Sequence, residues 1–479
     1  MDDKGRLRWV VVLTAVGSFM AALDTLVVAS ALSTIRQDLG ASLTDLEWTV
    51  NSYNLSFAVL LVPAAVLGDR LGRARTYAAG LALFALASAG CAVSGSVGAL
   101  IAMRVVQGAG AAVVMTLGLA LLTSAFPPER RGAALGLFSA VTGLAVASGP
   151  LVGGAVVDGL AWQWIFWLNV PIGLVAAPLA LRLIPEVRVP DSRLDVGGVA
   201  LLAGGVLGLV WALVRGEPAG WTSVEVLGAA ALGVLLLVAF AAWEGRAPYP
   251  LLPRRLLRVR GFAAGNAAIA FTFAALFSAV FFYGQLLQVV LAESPLGAGV
   301  RLMAWTGTFL VFAPAAGALA DRIGERPLVT TGLTIQAGAM VWFASTVGTD
   351  LTYAGMLGPF IVGGFGVSLA IPCGQSAVVA AVADRDVATA SGVNATMREL
   401  GGVLGIAVTV AVFGVRGGFA SPADFVDGFR GAVLAAAALS ALGALAGLAL
   451  PARRAGLVRD GDTQTPGSMG SGSFEGAAA

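Results

Sequence analysis

Apolar runs of bilayer length recur from one end of this sequence to the other, and that recurrence limits the fold more than any single motif. A hydrocarbon core of about 30 Å is crossed by about 20 residues of α-helix rising 1.5 Å each. Measured with that ruler, the chain holds fourteen candidate spans, the first at 9–32 and the last at 429–450. Only 12% of the 479 residues are charged, against about 25% in soluble domains. The expected fold class is an all-α integral membrane protein.

Composition also removes several chemistries. There is no histidine, which excludes His-based catalysis and the common zinc sites. Cys91 and Cys373 both lie in apolar runs, and two cysteines cannot build a disulfide framework or a multi-cysteine metal site. The only lysine is Lys4, so no Walker A motif with its phosphate-binding lysine exists. Transport by this chain is therefore not powered by its own ATP hydrolysis. No metal or cofactor is expected. The net charge of +2 gives no sign of a nucleic-acid partner. No nucleophile–base constellation appears, so an enzyme is not expected.

The N-terminal "MDDKGRLRWVVVL" puts basic residues before an apolar run, as a signal peptide does. That run continues to Leu32, too long for a cleaved segment of about 7–15 apolar residues. It reads as a retained first span. Orientation follows from basic residues in loops. With a cytoplasmic N-terminus, the outer loops hold Arg36, Arg215, Arg301, Arg416 and Arg430, while Arg104 and Arg398 fall in or at the edge of spans. The remaining 22 of 29 basic residues are cytoplasmic. An even number of spans puts both termini inside the cell membrane.

The chain repeats itself. "AVLGDRLGRAR" (Ala65–Arg75) follows the second span and "GALADRIGERP" (Gly317–Pro327) the tenth. Repeated halves mark secondary transporters. The expected organisation is a cytoplasmic arm at 1–8, a six-helix bundle at 9–184, a two-helix insert and basic linker at 185–260, a second six-helix bundle at 261–450, and a disordered cytoplasmic tail at 451–479.

Polar residues inside the spans are the candidate sites. Asp24 costs about 2.5–3.5 kcal/mol in an apolar helix. It is either a structural acid capped by a neighbouring hydroxyl or a carboxyl that titrates: burial favours its neutral form and a nearby arginine its charged form. Replacing it by asparagine removes a charge from the membrane, so the fold is expected to tolerate the change. Arg104, Gln107 and Gly108 share one helix face. Arg104 either has a partner in the membrane or snorkels to the outer interface. Arg398 and Glu399, at the start of span thirteen, are either an interfacial ion pair or a second proton site. Asn51, Tyr53 and Asn54 in span two, with Gln107, Asn266, Tyr283, Gln285 and Gln288, are candidate cavity residues that can bond a drug without selecting charge.

Taken together the motifs resemble the fourteen-helix drug:proton antiporters of the major facilitator superfamily, through Leu450. "LDTLVVASAL" with Asp24 resembles that group's first-helix motif, and "GDRLGRAR" (Gly68–Arg75) the cytoplasmic loop motif. "RVVQGAGAA" (Arg104–Ala112) resembles the fourth-helix motif and "SGPLVGG" (Ser148–Gly154) the fifth-helix antiporter motif. "WQWIFWLNVPIG" and "SGVNATMRELGGVLGIAV" are also typical of the group. Ala65 and Ala145 stand where the family usually has glycine, and both keep the position small. The resemblance implies the major facilitator fold, two six-helix bundles with two extra central helices. It implies proton coupling through Asp24, with Arg104, Arg398 and Glu399 as further charged candidates. Asp69, Arg70, Gly72 and Arg73, with Asp321 and Arg322 in the second copy, would form a gating latch. Gly149, Pro150, Gly153 and Gly154 would form a hinge or tight seam. The implied function is proton-coupled export of small amphipathic drugs or antibiotics by a monomer in the lipid bilayer. The alternatives are a transporter of an endogenous metabolite or lipid, and a membrane sensor with a transporter fold.

Overall fold

The computed structural model describes residues 3–126, 131–188, 195–248, 250–251, 254–383 and 386–452. The expected disordered tail lies outside them from 453 on, as do 189–194 and 252–253 of the expected linker. Every regular element among the described residues is a helix. A first group packs together α1 (Asp3–Leu39), α2 (Leu43–Leu71), α3 (Arg73–Ala92), α4 (Val97–Ala125), α5 (Arg131–Gly159), the short α6 (Trp164–Trp167) and α7 (Asn169–Leu183). α8 (Val196–Ala219) and α9 (Val224–Glu244) form a hairpin, and α10 (Arg254–Leu257) is a single turn. The second group is α11 (Arg260–Val289), α12 (Pro295–Ile323), α13 (Glu325–Thr346), α14 (Tyr353–Ala380), α15 (Val387–Arg416) and α16 (Pro422–Leu448).

Eleven stretches among the described residues are long and apolar enough to cross a membrane, or twelve with α2 taken as one span bent by 53° at Pro63. α3 and α5 complete the fourteen expected spans as helices of 20 and 29 residues but stand outside that count. Arg73 and Arg75 open α3 and make it less apolar than its neighbours.

α1 begins, and α16 stops, at what we call the near end of the bundle; the other is the far end. At the far end five helices start on a serine. Ser42, Ser96, Ser223, Ser294 and Ser421 each accept the backbone N–H three residues on, a cap that stabilises by about 1 kcal/mol. At the near end the two copies of the repeated motif share one backbone device. Gly72 (φ +112°) and Gly324 (φ +85°) each end one helix and start the next. Their N–H groups donate to Gly68 and Ala320, both at 2.9 Å. Only glycine adopts such φ values without strain.

"SGPLVGG" joins the two groups. Gly149 and Gly153, one turn apart, lie against Leu26 and Val27 of α1. Gly154, on another face, lies against the backbone of Pro295 and Leu296 in α12, and Gly299 of α12 lies against Pro150 and Leu151. Backbones this close leave no room for a side chain, which is why small residues occupy such seams. Further far-end contacts cross between the groups. The Arg36 guanidinium lies 4.0 Å over the Phe419 ring. Ser294 donates to Asp158 at 3.3 Å, and Gln288 to the Ser30 carbonyl at 3.3 Å. The far end is thus closed. On the opposite flank α8 spans both groups, with Val206, Val210 and Val214 packed among Ala58 of α2 and Leu400, Val403 and Ala407 of α15.

Candidate functional site

Asp24 is 1% exposed on α1, and Arg104 of α4 is fully buried. The two form an ion pair, Arg104 Nη1 to Asp24 Oδ2. Gln107, one turn along α4, bridges them. Its Oε1 accepts from Arg104 Nη1 at 2.7 Å, and its Nε2 donates to Asp24 Oδ1 at 2.9 Å. The same Nε2 donates to Ser88 of α3 at 2.7 Å, and Asn169 of α7 donates to Asp24 Oδ1 at 3.2 Å. Arg104 Nε donates to the Thr49 carbonyl of α2 at 3.1 Å. The guanidinium also lies 4.1 Å over the Tyr53 ring, a cation–π contact. Five helices therefore converge on one buried charge pair. Arg104 does not snorkel to an interface: it is fully buried, its charge is paired with Asp24, and its Nε and Nη1 donate to acceptors on α1, α2 and α4, while Nη2 has no hydrogen-bond partner.

Arg398 and Glu399 require a correction. They do not stand at the start of a span: Glu399 lies twelve residues beyond Val387 in α15, about 18 Å along the helix, and is 2% exposed. Arg398 Nε donates to Glu399 Oε1 at 2.8 Å, and its guanidinium lies 5.6 Å from the Phe273 ring. Glu399 Oε2 has no partner. Tyr53, whose ring faces Arg104, donates its hydroxyl to the Ala21 carbonyl of α1 at 2.9 Å.

The groups meet around a cavity of about 10 Å³ lined by α1, α2, α11 and α15. That is room for about one water. Thr25 and Asn54 are its polar wall, and Phe277 and Phe281 part of its apolar one.

At the near end, Asp69 Oδ1 pairs with Arg73 Nε at 2.7 Å. The start of α3 is capped by a different acid: Glu186, just beyond α7, accepts the N–H groups of Ala74 at 3.0 Å and Arg75 at 3.2 Å. Its carboxylate lies against Gly72, where a β-carbon would collide. Arg70 and Arg322 are exposed, and Asp321 has no described side chain. In the second copy Glu325 is 7% exposed and accepts from Ser376 at 3.1 Å.

The Major Facilitator Superfamily model matches residues 14–406, and again 286–468. The chain belongs to the Major Facilitator Superfamily. Among its relatives, the tetracenomycin C resistance and export protein of Streptomyces glaucescens is 35% identical over 88% of this chain and 79% of its own length. The methylenomycin A resistance protein of Streptomyces coelicolor is 35% identical over 82% and 83%. The multidrug resistance protein Stp of Mycobacterium tuberculosis is 33% identical over 84% and 75%. Among solved structures, a peptide transporter POT in complex with sulfate matches with a TM-score of 0.66 at 15% identity, over 94% of this chain and 99% of that one. A bacterial homologue of the lysosomal transporter Spinster matches with a TM-score of 0.65 at 16% identity, over 93% and 98%. At such identities these two speak for the fold alone.

In this superfamily member the residues expected in one cavity are divided. Asn54 lines the cavity. Tyr53 and Gln107 belong to the Asp24 network. Tyr283 lies instead in an aromatic cluster of the second group, stacked on Phe360 at 4.9 Å and beside Trp305, Phe343 and Phe429. Asn266 accepts from Asn394 of α15 at 3.2 Å. Gln285 is buried, its amide bonded to the Phe281 carbonyl at 2.9 Å. Sequence reasoning missed Ser88, Asn169, Glu47 and Glu186. The signal for Asn169 was the lone amide in "WIFWLNVPIG", and for Glu186 the acid set among arginines after an apolar run.

Proposed function

We propose that this protein is a proton-coupled secondary transporter that exports drugs or antibiotics across the cytoplasmic membrane by alternating access. One observation carries the reading: a fully buried Asp24–Arg104 pair, cross-braced by Gln107 and Asn169, in a chain with no nucleotide-binding lysine motif. A proton on Asp24 dissolves the ion pair and leaves Arg104 held by Gln107, Thr49 and the Tyr53 ring. Loss of that proton restores the pair and pulls α1 and α4 together again. Tyr53 links this switch to Asn54 at the cavity, one residue along α2. Glu399 is the second carboxyl of the pathway.

The loop charges favour a cytoplasmic near end, with both termini inside. The far-end closure then corresponds to the outward-closed state, in which the α5–α12 seam is zipped. Opening that seam exposes the cavity to the outside. The Asp69–Arg73 pair belongs to the near-end latch that closes in the opposite state. Residues 9–184 and 261–450 act as the two moving bundles, joined by the insert at 185–260, and one chain suffices. The names of the relatives, which concern tetracenomycin C, methylenomycin A and multidrug resistance, support an amphipathic antibiotic as the cargo.

The test is drug accumulation in expressing cells with and without an uncoupler. Collapse of the proton gradient should raise accumulation to the level of cells lacking the protein. Accumulation that follows ATP depletion with the gradient intact contradicts the reading.

A further inference from the structure

Glu47 is a buried carboxyl outside the network just described. It sits one turn into α2 at the far end and is 1% exposed. Its Oε1 accepts from Asn51 Nδ2 at 3.3 Å, and its Oε2 has no partner. Glu47, Val50 and Asn54 are spaced i, i+3 and i+7, one face of the helix. Val50 and Asn54 line the cavity between the groups, so Glu47 stands on the same seam, closer to the far end.

Among the described residues its one side-chain partner is the neutral Asn51 amide. Apart from residues 3–8 at the near end of α1 and Glu217 of α8, whose side chain is not described, the charged groups on the helices packed against α2 make other contacts. On α1, Asp24 pairs with Arg104 of α4, Arg36 lies over Phe419, and Asp38 accepts from Trp162. On α3, Arg73 and Arg75 lie at the near end with Asp69 and Glu186, and the buried Tyr77 and Cys91 bond the Leu13 carbonyl and Gln107. On α8, Arg215 pairs with Glu225. On α15, Arg398 pairs with Glu399, and Arg416 lies against Gly431. An ionised carboxylate buried without a cation is several kcal/mol too costly to keep. A protonated one is a donor, and the same face offers acceptors that lack donors, Asn51 Oδ1 and Asn54 Oδ1.

We propose that Glu47 is a further proton site, one that takes a proton from the outer medium while the far end is open and carries it into the seam as the far end closes. The proton passes from a hydronium ion to the carboxylate, leaving water and a neutral carboxyl. The assignment of the far end to the outside rests on the export reading above; the coupling of proton to closure does not. Glu47 is neutral when closed and ionised when open, so acid favours closure. One such group changes the closed-to-open ratio by up to about tenfold per pH unit.

The experiment uses the full chain in lipid nanodiscs, spin-labelled at the exposed positions Gln37→Cys and Ala423→Cys on the two sides of the far end. The native cysteines are buried. Pulsed EPR distances are recorded over a pH series. In the otherwise unaltered protein the short-distance population should grow as pH falls. Glu47→Gln should hold the short distance at every pH, while Glu225→Gln, at an exposed far-end carboxylate paired with Arg215, keeps the slope. The infrared absorption of protonated carboxyls should lose one component in Glu47→Gln and keep it in Glu225→Gln. A slope retained in Glu47→Gln, carboxyl absorption unchanged in that variant, or distances that ignore pH throughout, overturns the proposal. If Glu47→Gln abolishes the slope but export in cells ignores uncouplers, the site stands and the export reading fails.

Discussion

Replacing Asp24 by asparagine strands a charge. Arg104 has no exposed surface, and Asp24 is the only acid paired with it among the described residues. Removing one partner of a buried ion pair typically costs about 3–5 kcal/mol, because the other charge is left uncompensated. Part of that is recovered here. Arg104 keeps Gln107 Oε1, the Thr49 carbonyl and the Tyr53 ring, and an asparagine oxygen can still accept from Gln107 and Asn169. The expected loss therefore sits at the low end, about 3 kcal/mol. This reverses the expectation from sequence, in which the amide was tolerated because it removed a charge. The assay is a double-mutant cycle on unfolding in detergent, with Asp24→Asn, Arg104→Gln and the double variant. The double variant should be more stable than Asp24→Asn by roughly 1–3 kcal/mol. If Asp24→Asn lies within about 0.5 kcal/mol of the parent, Asp24 does not compensate Arg104 and the charge-pair reasoning is refuted.

Three further outcomes follow from the geometry. Gly154→Leu should wedge α5 away from Pro295 and Leu296 and shift the far end toward its open form, read as longer distances between far-end labels; unchanged distances would mean that the seam does not control closure. Asp69→Asn should slow transport several-fold while equilibrium drug binding stays within a few-fold, and a large loss of binding in folded protein would make Asp69 a substrate contact. Tyr283→Phe should leave transport within about twofold, since the ring packs in an aromatic core, and a tenfold loss would put its hydroxyl on the substrate.

Some of this was legible in the sequence because the physics acts along one helix. The span pattern, the two Asp-Arg-x-Gly turns and the small-residue run in α5 each announce a local requirement: apolar length, a positive φ, close backbones. Asp24 and Arg104 were visible as costly residues, and their cost implied a partner. Which partners they have was not visible, since Ser88, Asn169 and the Thr49 carbonyl come from three other helices and their sequence distance carries no signal. Glu186 shows the same limit. Asp69 is nearer to α3 along the chain, yet an acid more than a hundred residues on takes the Ala74 and Arg75 N–H groups. Tyr283 shows a related limit: a tyrosine in a span looks polar, but its ring is the larger part, and four aromatic neighbours surround it. Glu399 looks interfacial because charges usually mark the edge of a span, yet it lies nine residues beyond Ala390, where its span begins.

The most direct test of the account is proton movement in liposomes that contain only this protein and an internal pH dye. With no other energy source, an imposed drug gradient should drive protons in the opposite direction, and Asp24→Asn should abolish that flux while the folded protein still binds drug. Drug that crosses with no proton movement, or a proton flux undiminished in Asp24→Asn, would contradict the claim that the buried Asp24–Arg104 pair couples the two.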